Sequence, residues 1–203
     1  MVTAPMPSRW ILVIDDNPAV CEDFRKILQP NTVASSLLAA RAALFEDTSL
    51  DETAEGFDVD CADQGQTGLA MVQSALQRGS PYAVAFIDML MPPGWDGLET
   101  VDHLWSVDPE LEIVICTAFV DLLRDRFSQR LEHSDKLLIL RKPFDNIEVW
   151  QLASVLTQKW YLTQQVKHQL PALTAMVEQR TQELQEVRER LQAAMTQRRA
   201  DAT

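Results

Sequence analysis

The chain has 203 residues and a formal net charge of −12, with 46% apolar and 24% charged residues. This length is sufficient to bury a full hydrophobic core, and it fits one domain with an appendage or two small domains. So large an excess of acid argues against a nucleic-acid surface, because binding a phosphate backbone requires a basic face. Residues 160–203 contain six basic and five acidic side chains, so the acidity belongs to residues 1–159.

The sequence indicates a cytoplasmic protein. No apolar run approaches the roughly 18 residues that a membrane-spanning helix needs, and residues 1–8 lack the features of a signal peptide. We predict a flexible N-terminal tail over those eight residues. The cysteines Cys21, Cys61 and Cys116 form no CxxC pair and are odd in number. We therefore predict buried thiols in a reducing compartment, with neither a disulfide framework nor a zinc site.

Short apolar runs alternate with helix-like segments along the chain, which is the pattern of a parallel sheet covered by helices on both faces. The first helix has a clear start, with Asn17 as its N-cap and Pro18 at its first position. The predicted strands are Trp10–Ile14, Phe57–Ala62, Ala83–Ile87, Leu111–Ala118 and Lys136–Arg141. The predicted helices are Pro18–Leu28, Gln64–Arg78, Asp96–Val107, Leu122 to about Glu132, and Asn146 onward.

One segment interrupts this alternation. Residues 30–56 stand where a connection of a few residues normally suffices, and a loop of that length is functional, disordered or self-structured. Within it, Ser36–Glu46 has apolar residues at helical spacing, which predicts a short amphipathic helix inside an insertion.

Residues 161–203 have the pattern of a coiled coil. Their apolar residues recur at alternating steps of four and three, a narrow heptad seam, whereas a lone helix lying on a domain would show a broader apolar stripe. Pro171 falls inside the seam and predicts a kink or the start of a new helix. The heptad spacing of the apolar residues nevertheless continues unchanged across Pro171. The seam comprises Val166, Leu170, Leu173, Val177, Arg180, Leu184, Val187, Leu191 and Ala194.

Polar side chains follow four of the five predicted strands. Asp15 and Asp16 follow the first strand, Asp88 follows the third, Thr117 lies at the end of the fourth, and Lys142 follows the fifth. Ligands of open α/β sheets bind outside the carboxyl ends of the strands, so we expect these groups to converge. Two carboxylates about 4 Å apart repel by roughly 4 kcal/mol at an effective dielectric near 20, which predicts a cation beside them.

Four segments carry a resemblance to a known family. "VIDDNP", "FIDMLMPPGWDGLE", "ICTA" and "LRKPFD" resemble the signature segments of the receiver domain of two-component response regulators. The resemblance covers residues 9–160, including the insertion. It implies an α/β fold of the flavodoxin-like, doubly wound kind, with a five-stranded parallel sheet of order 2-1-3-4-5, here followed by a long C-terminal helix.

The resemblance also implies the roles of the strand-end residues. Asp88 would be the phosphoacceptor, taking a phosphoryl group from a histidine kinase or a phosphotransfer protein. Thr117 and Lys142 would contact that phosphoryl group, and the bond before Pro143 is often cis in the family. A Mg²⁺ ion would be held by Asp15, Asp16, Asp88 and the backbone carbonyl of Leu90.

Three features depart from the family pattern. The loop "DMLMPPGWDG", with Gly94 and Trp95, is one residue longer than usual and is expected to alter the edge of the site. Ile139 stands where many receivers carry the aromatic residue of a second switch element. Leu90 is apolar, and we predict that it slows the attack of water on a phosphoryl group at Asp88.

We therefore predict a response regulator receiver, a non-enzymatic phosphoacceptor that promotes its own phosphorylation and dephosphorylation. The segment "VEQRTQELQEVRERL" resembles signalling helices that join receivers to output modules. A homodimer through this helix would pass the state of the receiver to a partner or to an output domain beyond Thr203. The alternatives are a Mg²⁺-dependent phosphohydrolase, with Asp88 or Asp15 as nucleophile, and a stand-alone dimeric scaffold of a phosphorelay.

Overall fold

The structure is a computed structural model that describes residues 8–29, 56–118 and 135–200, with side chains up to residue 190 except at residue 172. Three predicted features lie outside these residues: the N-terminal tail up to residue 7, the helix Ser36–Glu46 and the helix from Leu122 to Glu132. The strands are β1 (Trp10–Ile14), β2 (Asp58–Ala62), β3 (Val84–Asp88), β4 (Glu112–Thr117) and β5 (Leu137–Arg141). The helices are α1 (Pro18–Leu28), α2 (Gly65–Gln77), α3 (Gly97–Val107) and α4 (Asn146–Ala200).

The five strands form one parallel sheet with the order β2-β1-β3-β4-β5, which confirms the predicted fold class. The register aligns the carboxyl ends of the strands. Ile14 at the end of β1 pairs with Ala62 and with Ile87, and Asp88 at the end of β3 pairs with Cys116. Side chains that follow these residues therefore emerge at one edge of the sheet.

Alternating residues of the central strands supply two cores, one on each face of the sheet. In β1, Leu12 and Ile14 face one core, while Ile11 and Val13 face the other. The first core is completed by apolar residues of α2 and α3, such as Val72 and Leu104. The second core is completed by α1 and α4: Phe24, Leu28, Val149, Ala153, Leu156 and Trp160.

Side-chain caps fix the starts of two helices. Asn17 Oδ1 accepts a hydrogen bond from the Ala19 backbone N–H at 3.1 Å, which starts α1 at the predicted residue. Asp96 Oδ1 likewise accepts from the Glu99 backbone N–H at 2.8 Å at the start of α3. The first cap directly follows the acidic end of β1, and the second ends the loop that follows Asp88.

Helix α4 runs for 55 residues, and the chain divides after Tyr161 into two compact units. In the first unit, the opening turns of α4 bury Val149 and Trp160 against the sheet. In the second unit, the helix from Leu162 onward exposes apolar side chains, and it continues without interruption past Pro171. Among the described helices, none combines the length and apolarity needed to cross a bilayer.

The prediction that all three cysteines are free thiols was wrong for two of them. Cys21 on α1 and Cys61 on β2 form a disulfide, with their Cα atoms 6.2 Å apart, and Cys116 is a free buried thiol. The two paired residues are 40 positions apart, and they meet because α1 packs against β2. Spacing rules detect cysteines that are close in sequence, so this pair gave no such signal.

Candidate functional site

Three carboxylates meet at the carboxyl edge of the sheet. One oxygen from each of Asp15, Asp16 and Asp88 lies within 4.8 Å of the other two. Asp15 is buried, Asp88 is half-buried and Asp16 is exposed. The backbone N–H of Asp15 donates to the Ala62 carbonyl at 3.1 Å, which ties the end of β1 to the end of β2. The strand-end residues predicted to converge are thus brought together.

A single ammonium group bridges two of these carboxylates. Lys142 Nζ donates to Asp15 Oδ2 at 2.8 Å and to Asp88 Oδ1 at 3.0 Å. The backbone N–H of Lys142 donates to the Thr117 carbonyl at 2.8 Å, which aligns the ends of β4 and β5. The peptide bond between Lys142 and Pro143 is cis, as the resemblance implied. The cation expected beside the paired aspartates is therefore present in the chain itself.

The charges of these groups perturb one another. Burial raises the pKa of Asp88, and the hydrogen bond and charge of Lys142 offset this only in part. Burial acts to lower the pKa of Lys142, but the hydrogen bonds and charges of Asp15 and Asp88 outweigh it and raise the pKa. The ammonium therefore stays charged at neutral pH, and the site keeps a negative surplus that favours a further cation.

The buried side chain of Thr117 ends β4 at the same edge. Thr117 follows Cys116, the residue that pairs with Asp88 in the sheet register, and it pairs with Arg141 just before Lys142. This position places Thr117 between the strands that carry Asp88 and Lys142. Its role as a hydroxyl donor to a phosphoryl group stays a prediction.

Leu90 lies two residues after Asp88, and its side chain is 57% exposed. The backbone between them is held from both sides: the Met89 N–H donates to the Cys116 carbonyl at 3.0 Å, and the Met89 carbonyl accepts from the Gly97 N–H at 3.0 Å. An exposed apolar side chain therefore stands on a fixed backbone beside the acidic cluster.

The long loop after β3 packs against the helices around it. The ring of Trp95 stacks on that of His103 with centroids 4.0 Å apart, and His103 is half-buried. A Cβ atom at Gly94 would lie 1.9 Å from Gln64 Oε1 at the start of α2. The loop thus forms one fixed wall beside the site.

Two residues support the site in ways that the sequence did not reveal. The backbone N–H of Asn17 donates to Asp15 Oδ1 at 2.9 Å, so the residue that caps α1 also orients this carboxylate. Gly97 lets the start of α3 approach the end of β3, because a Cβ atom there would lie 2.7 Å from the Asp88 carbonyl oxygen. The Asp-Gly pair before an apolar helix was the available signal for Gly97, but glycine is too common at such turns to be diagnostic.

Comparison with solved structures yields many matches. An adenylate cyclase from Rhodopirellula baltica is 16% identical with a TM-score of 0.57, covering 81% of this chain and 98% of its own. A response regulator receiver protein from Sinorhizobium medicae is 20% identical with a TM-score of 0.51, covering 74% and 95%. A response regulator receiver domain protein from Clostridium thermocellum is 18% identical with a TM-score of 0.52, covering 76% and 98%.

The chain has the fold of a response regulator receiver domain. Neither the family models nor the curated proteins compared with the sequence match it. At these identities the likeness to the receivers shows the fold alone, so the chemistry must be argued from the side chains of this chain.

The donor set of the receiver fold suits a small divalent cation. Mg²⁺ prefers oxygen ligands, and it usually binds through one or two carboxylates together with water and phosphate oxygens. Asp15, Asp16 and Asp88 each offer a carboxylate oxygen to the cluster, and Asp16 is the most exposed of the three. The hard oxygen donors and the negative surplus both fit this ion.

Proposed function

We propose that this chain is a phosphorylation-controlled receiver in which Asp88 accepts a phosphoryl group from a phosphohistidine of a histidine kinase or phosphotransfer protein. One observation carries the proposal: Asp15, Asp16 and Asp88 meet within 4.8 Å, and Lys142 bridges two of them. The receiver fold of the solved relatives supports the same function. Residues 9–160 are taken as the receiver.

The chemistry assigns Asp88 the role of nucleophile. A carboxylate oxygen of Asp88 attacks the phosphorus of the phosphohistidine, the P–N bond breaks, and the imidazole leaves with the electron pair and takes up a proton. The product is an acyl phosphate on Asp88. A bound Mg²⁺ supplies positive charge that offsets the carboxylates and the phosphoryl oxygens. Its ligands would be Asp15, Asp16, Asp88 and the Leu90 backbone carbonyl.

Lys142 and Thr117 respond to the new group. Phosphorylation converts one Asp88 oxygen into the bridging oxygen of a mixed anhydride and moves the negative charge outward onto the phosphoryl oxygens. The Lys142 ammonium then exchanges its 3.0 Å contact with Asp88 for a contact with a phosphoryl oxygen. The Thr117 hydroxyl, on the strand between them, donates a second hydrogen bond. These two movements are the local event by which the receiver changes state.

The distal part of α4 provides a route for the signal. We take residues 161–203 as a coiled-coil helix that pairs with a second copy of this chain. Val166, Leu170, Leu173, Val177, Leu184 and Val187 are all at least half exposed, and a partner helix would bury them together. In a parallel pair, Glu183 flanks the seam opposite Arg188 of the second copy, which adds charge complementarity. The paired helices would pass the receiver's state to a partner or an output domain.

Labelling with a small phosphodonor tests the receiver assignment. The full chain is incubated with Mg²⁺ and acetyl phosphate, and the intact mass is measured. We expect one phosphoryl group, stable in acid and labile in base, in the wild type and in Asp58→Asn, an exposed acidic residue at the start of β2. Asp88→Asn should show none. Labelling that persists in Asp88→Asn contradicts the proposal, and sustained release of phosphate over many turnovers would indicate a phosphohydrolase.

Dimerisation is tested by light scattering on the full chain. Val177→Glu with Leu184→Glu places two charges on the seam and should shift the protein to a monomer. Gln182→Glu with Gln185→Glu adds the same charge on the outward positions and should leave a dimer. Equal masses for the two double variants would remove the seam as the cause of association.

A further inference from the structure

The disulfide lies in the wall of a cleft beside the acidic cluster. The cleft has a volume of about 440 Å³. Asp15 and Asp16 line it on one side, and Cys21 and Cys61 line it on another. Cys61 is partly exposed, whereas Cys21 is buried, so Cys61 is the more accessible residue of the pair. The pair is therefore accessible from the same space as the carboxylates.

The disulfide joins the two segments that position Asp15. On the β2 side, Cys61 directly precedes Ala62, whose carbonyl accepts the Asp15 backbone N–H at 3.1 Å. On the α1 side, Cys21 lies one turn after Asn17, whose backbone N–H donates to Asp15 Oδ1 at 2.9 Å. A bond between Cys21 and Cys61 thus links the segment that accepts the backbone N–H of Asp15 to the segment that donates to its carboxylate.

Without the disulfide, the remaining links between these segments are noncovalent. Among the described residues, the Phe57 backbone N–H donates to the Leu28 carbonyl at 2.8 Å, and apolar side chains of α1 pack on β2. Cys21 and Cys61 are 40 positions apart, so the chain between them imposes little restraint of its own. Opening the bond therefore gives the start of α1 freedom that directly affects Asp15 and Asp16.

We propose that Cys21 and Cys61 form a reversible redox site, and that its disulfide state binds a divalent cation at the acidic cluster more tightly than its dithiol state. The metal half of this inference rests on the proposed function. The physical reason is preorganisation: a site held in its binding geometry loses less conformational freedom when the ion enters. A change of cellular redox state would then set how readily the receiver is phosphorylated.

The redox step is thiol–disulfide exchange with a dithiol reductant. A reductant thiolate attacks the Cys61 sulfur, the bond between the two cysteine sulfurs breaks, and the Cys21 sulfur leaves as a thiolate that takes a proton. In the mixed disulfide, one sulfur of the reductant is bonded to the Cys61 sulfur. The second thiolate of the reductant attacks that reductant sulfur and releases the Cys61 thiolate, which is protonated. Two electrons pass to the protein, and the reductant leaves as a cyclic disulfide.

The coupling must act in both directions. If the disulfide tightens Mg²⁺ binding by a given factor, Mg²⁺ must favour the disulfide over the dithiol by the same factor. We expect about fivefold, which lies at the lower end of typical coupling between sites. For a two-electron couple, a fivefold change corresponds to a shift of about 20 mV toward a more negative potential. The redox equilibrium therefore reports on metal binding with no phosphorylation in the assay.

The experiment uses the full chain with Cys116→Ala, which removes the third thiol. The protein is equilibrated with mixtures of reduced and oxidised dithiothreitol, with MgCl₂ or with EDTA, then quenched in acid and alkylated for mass analysis. We expect a single two-electron transition that MgCl₂ shifts about fivefold toward the disulfide. Calorimetry should give the same ratio between the Mg²⁺ affinities of the two forms. Cys21→Ser in this background should bind Mg²⁺ like the reduced protein.

Each outcome separates the redox site from the proposed function. The inference is overturned if no disulfide forms at any ratio of the two dithiothreitol forms. It is also overturned if MgCl₂ does not shift the transition while both forms bind Mg²⁺ equally. In either case the receiver assignment stands. If neither form binds Mg²⁺, both fail. Repeating the titration on the wild type by peptide mapping guards against a folding defect in the Cys116→Ala background.

Discussion

Replacing Asp88 by asparagine should stabilise the folded protein in the absence of Mg²⁺. The substitution keeps the shape of the side chain and removes one of three negative charges that lie within 4.8 Å of one another. It also removes the ion pair between Asp88 and Lys142, which is 3.0 Å long. The sign of the effect depends on which of these two changes is larger.

The distances give an estimate. At 4.8 Å, the upper limit of these separations, and an effective dielectric of about 20, each repulsion of Asp88 by Asp15 or Asp16 amounts to about 3.5 kcal/mol. The attraction to Lys142 at 3.0 Å amounts to about 5.5 kcal/mol on the same scale. Removing two repulsions and one attraction leaves a gain of about 1.5 kcal/mol for Asp88→Asn. The raised pKa of Asp88, caused first by burial, has the same sign, because it means that the folded state favours the uncharged form.

The assay is urea denaturation in EDTA and in Mg²⁺, followed by tryptophan fluorescence. In EDTA we expect the midpoint of Asp88→Asn to lie about 0.7 M above that of the wild type, for an m-value near 2 kcal/mol/M. Mg²⁺ at ten times its dissociation constant stabilises the wild type by about 1.4 kcal/mol, and the variant by less because it has lost a ligand. The difference between the two proteins should therefore shrink or reverse.

Asp58→Asn is the matched control, since it removes the same charge from an exposed position at the opposite end of β2. It should change the free energy of unfolding by no more than a few tenths of a kcal/mol in either condition. If Asp88→Asn is less stable than the wild type in EDTA, or if Mg²⁺ stabilises both proteins equally, the electrostatic account of the cluster is wrong.

Three further predictions concern stability and the lifetime of the phosphoryl group. Burial raises the pKa of Glu112 despite its 3.0 Å ion pair with Lys159. The folded state therefore holds the proton more tightly than the unfolded chain does. The free energy of unfolding should fall as the pH rises from about 4.3 through the raised pKa. The free energy of unfolding of Glu112→Gln should lack this decline, and parallel curves for the two proteins between pH 4 and 7 would count against it. Gly97→Ala should lower the free energy of unfolding by about 1–3 kcal/mol and slow phosphoryl uptake, because its Cβ would lie 2.7 Å from the Asp88 carbonyl oxygen. Unchanged thermal denaturation and unchanged uptake would contradict this close approach. Leu90→Asn should shorten the lifetime of the phosphorylated form, followed by loss of radiolabel, and an equal lifetime would refute the role of this apolar side chain.

The sheet and the convergence of its strand ends could be predicted from the sequence because they follow from local patterns. The central strands are apolar runs buried on both faces, and the start of α1 is marked by Asn17 and Pro18. Once five parallel strands are assumed, Asp15, Asp88 and Lys142 must emerge at one edge, and the structure places them in contact. The roles of these residues in metal binding and phosphoryl transfer stay predictions.

The remainder depended on packing that no local pattern encodes. Whether Cys21 meets Cys61 depends on how α1 packs against β2. The two cysteines are 40 positions apart, so their spacing in the sequence does not indicate that they form a pair. The need for glycine at residue 97 appears only when α3 is seen against the backbone of Asp88. The stack of Trp95 on His103 likewise results from a loop that folds back on its own helix. These features join elements through space, whereas the predicted ones follow the order of the chain.

The most direct measurement of the central claim is the location and metal dependence of the phosphoryl group. The full chain is treated with acetyl phosphate in Mg²⁺ or in EDTA, the acyl phosphate is trapped by reduction with borohydride, and the peptides are mapped by mass spectrometry. The account predicts a single modified residue, Asp88, in Mg²⁺ and almost none in EDTA. Modification at another residue, or equal modification with and without the ion, would contradict it.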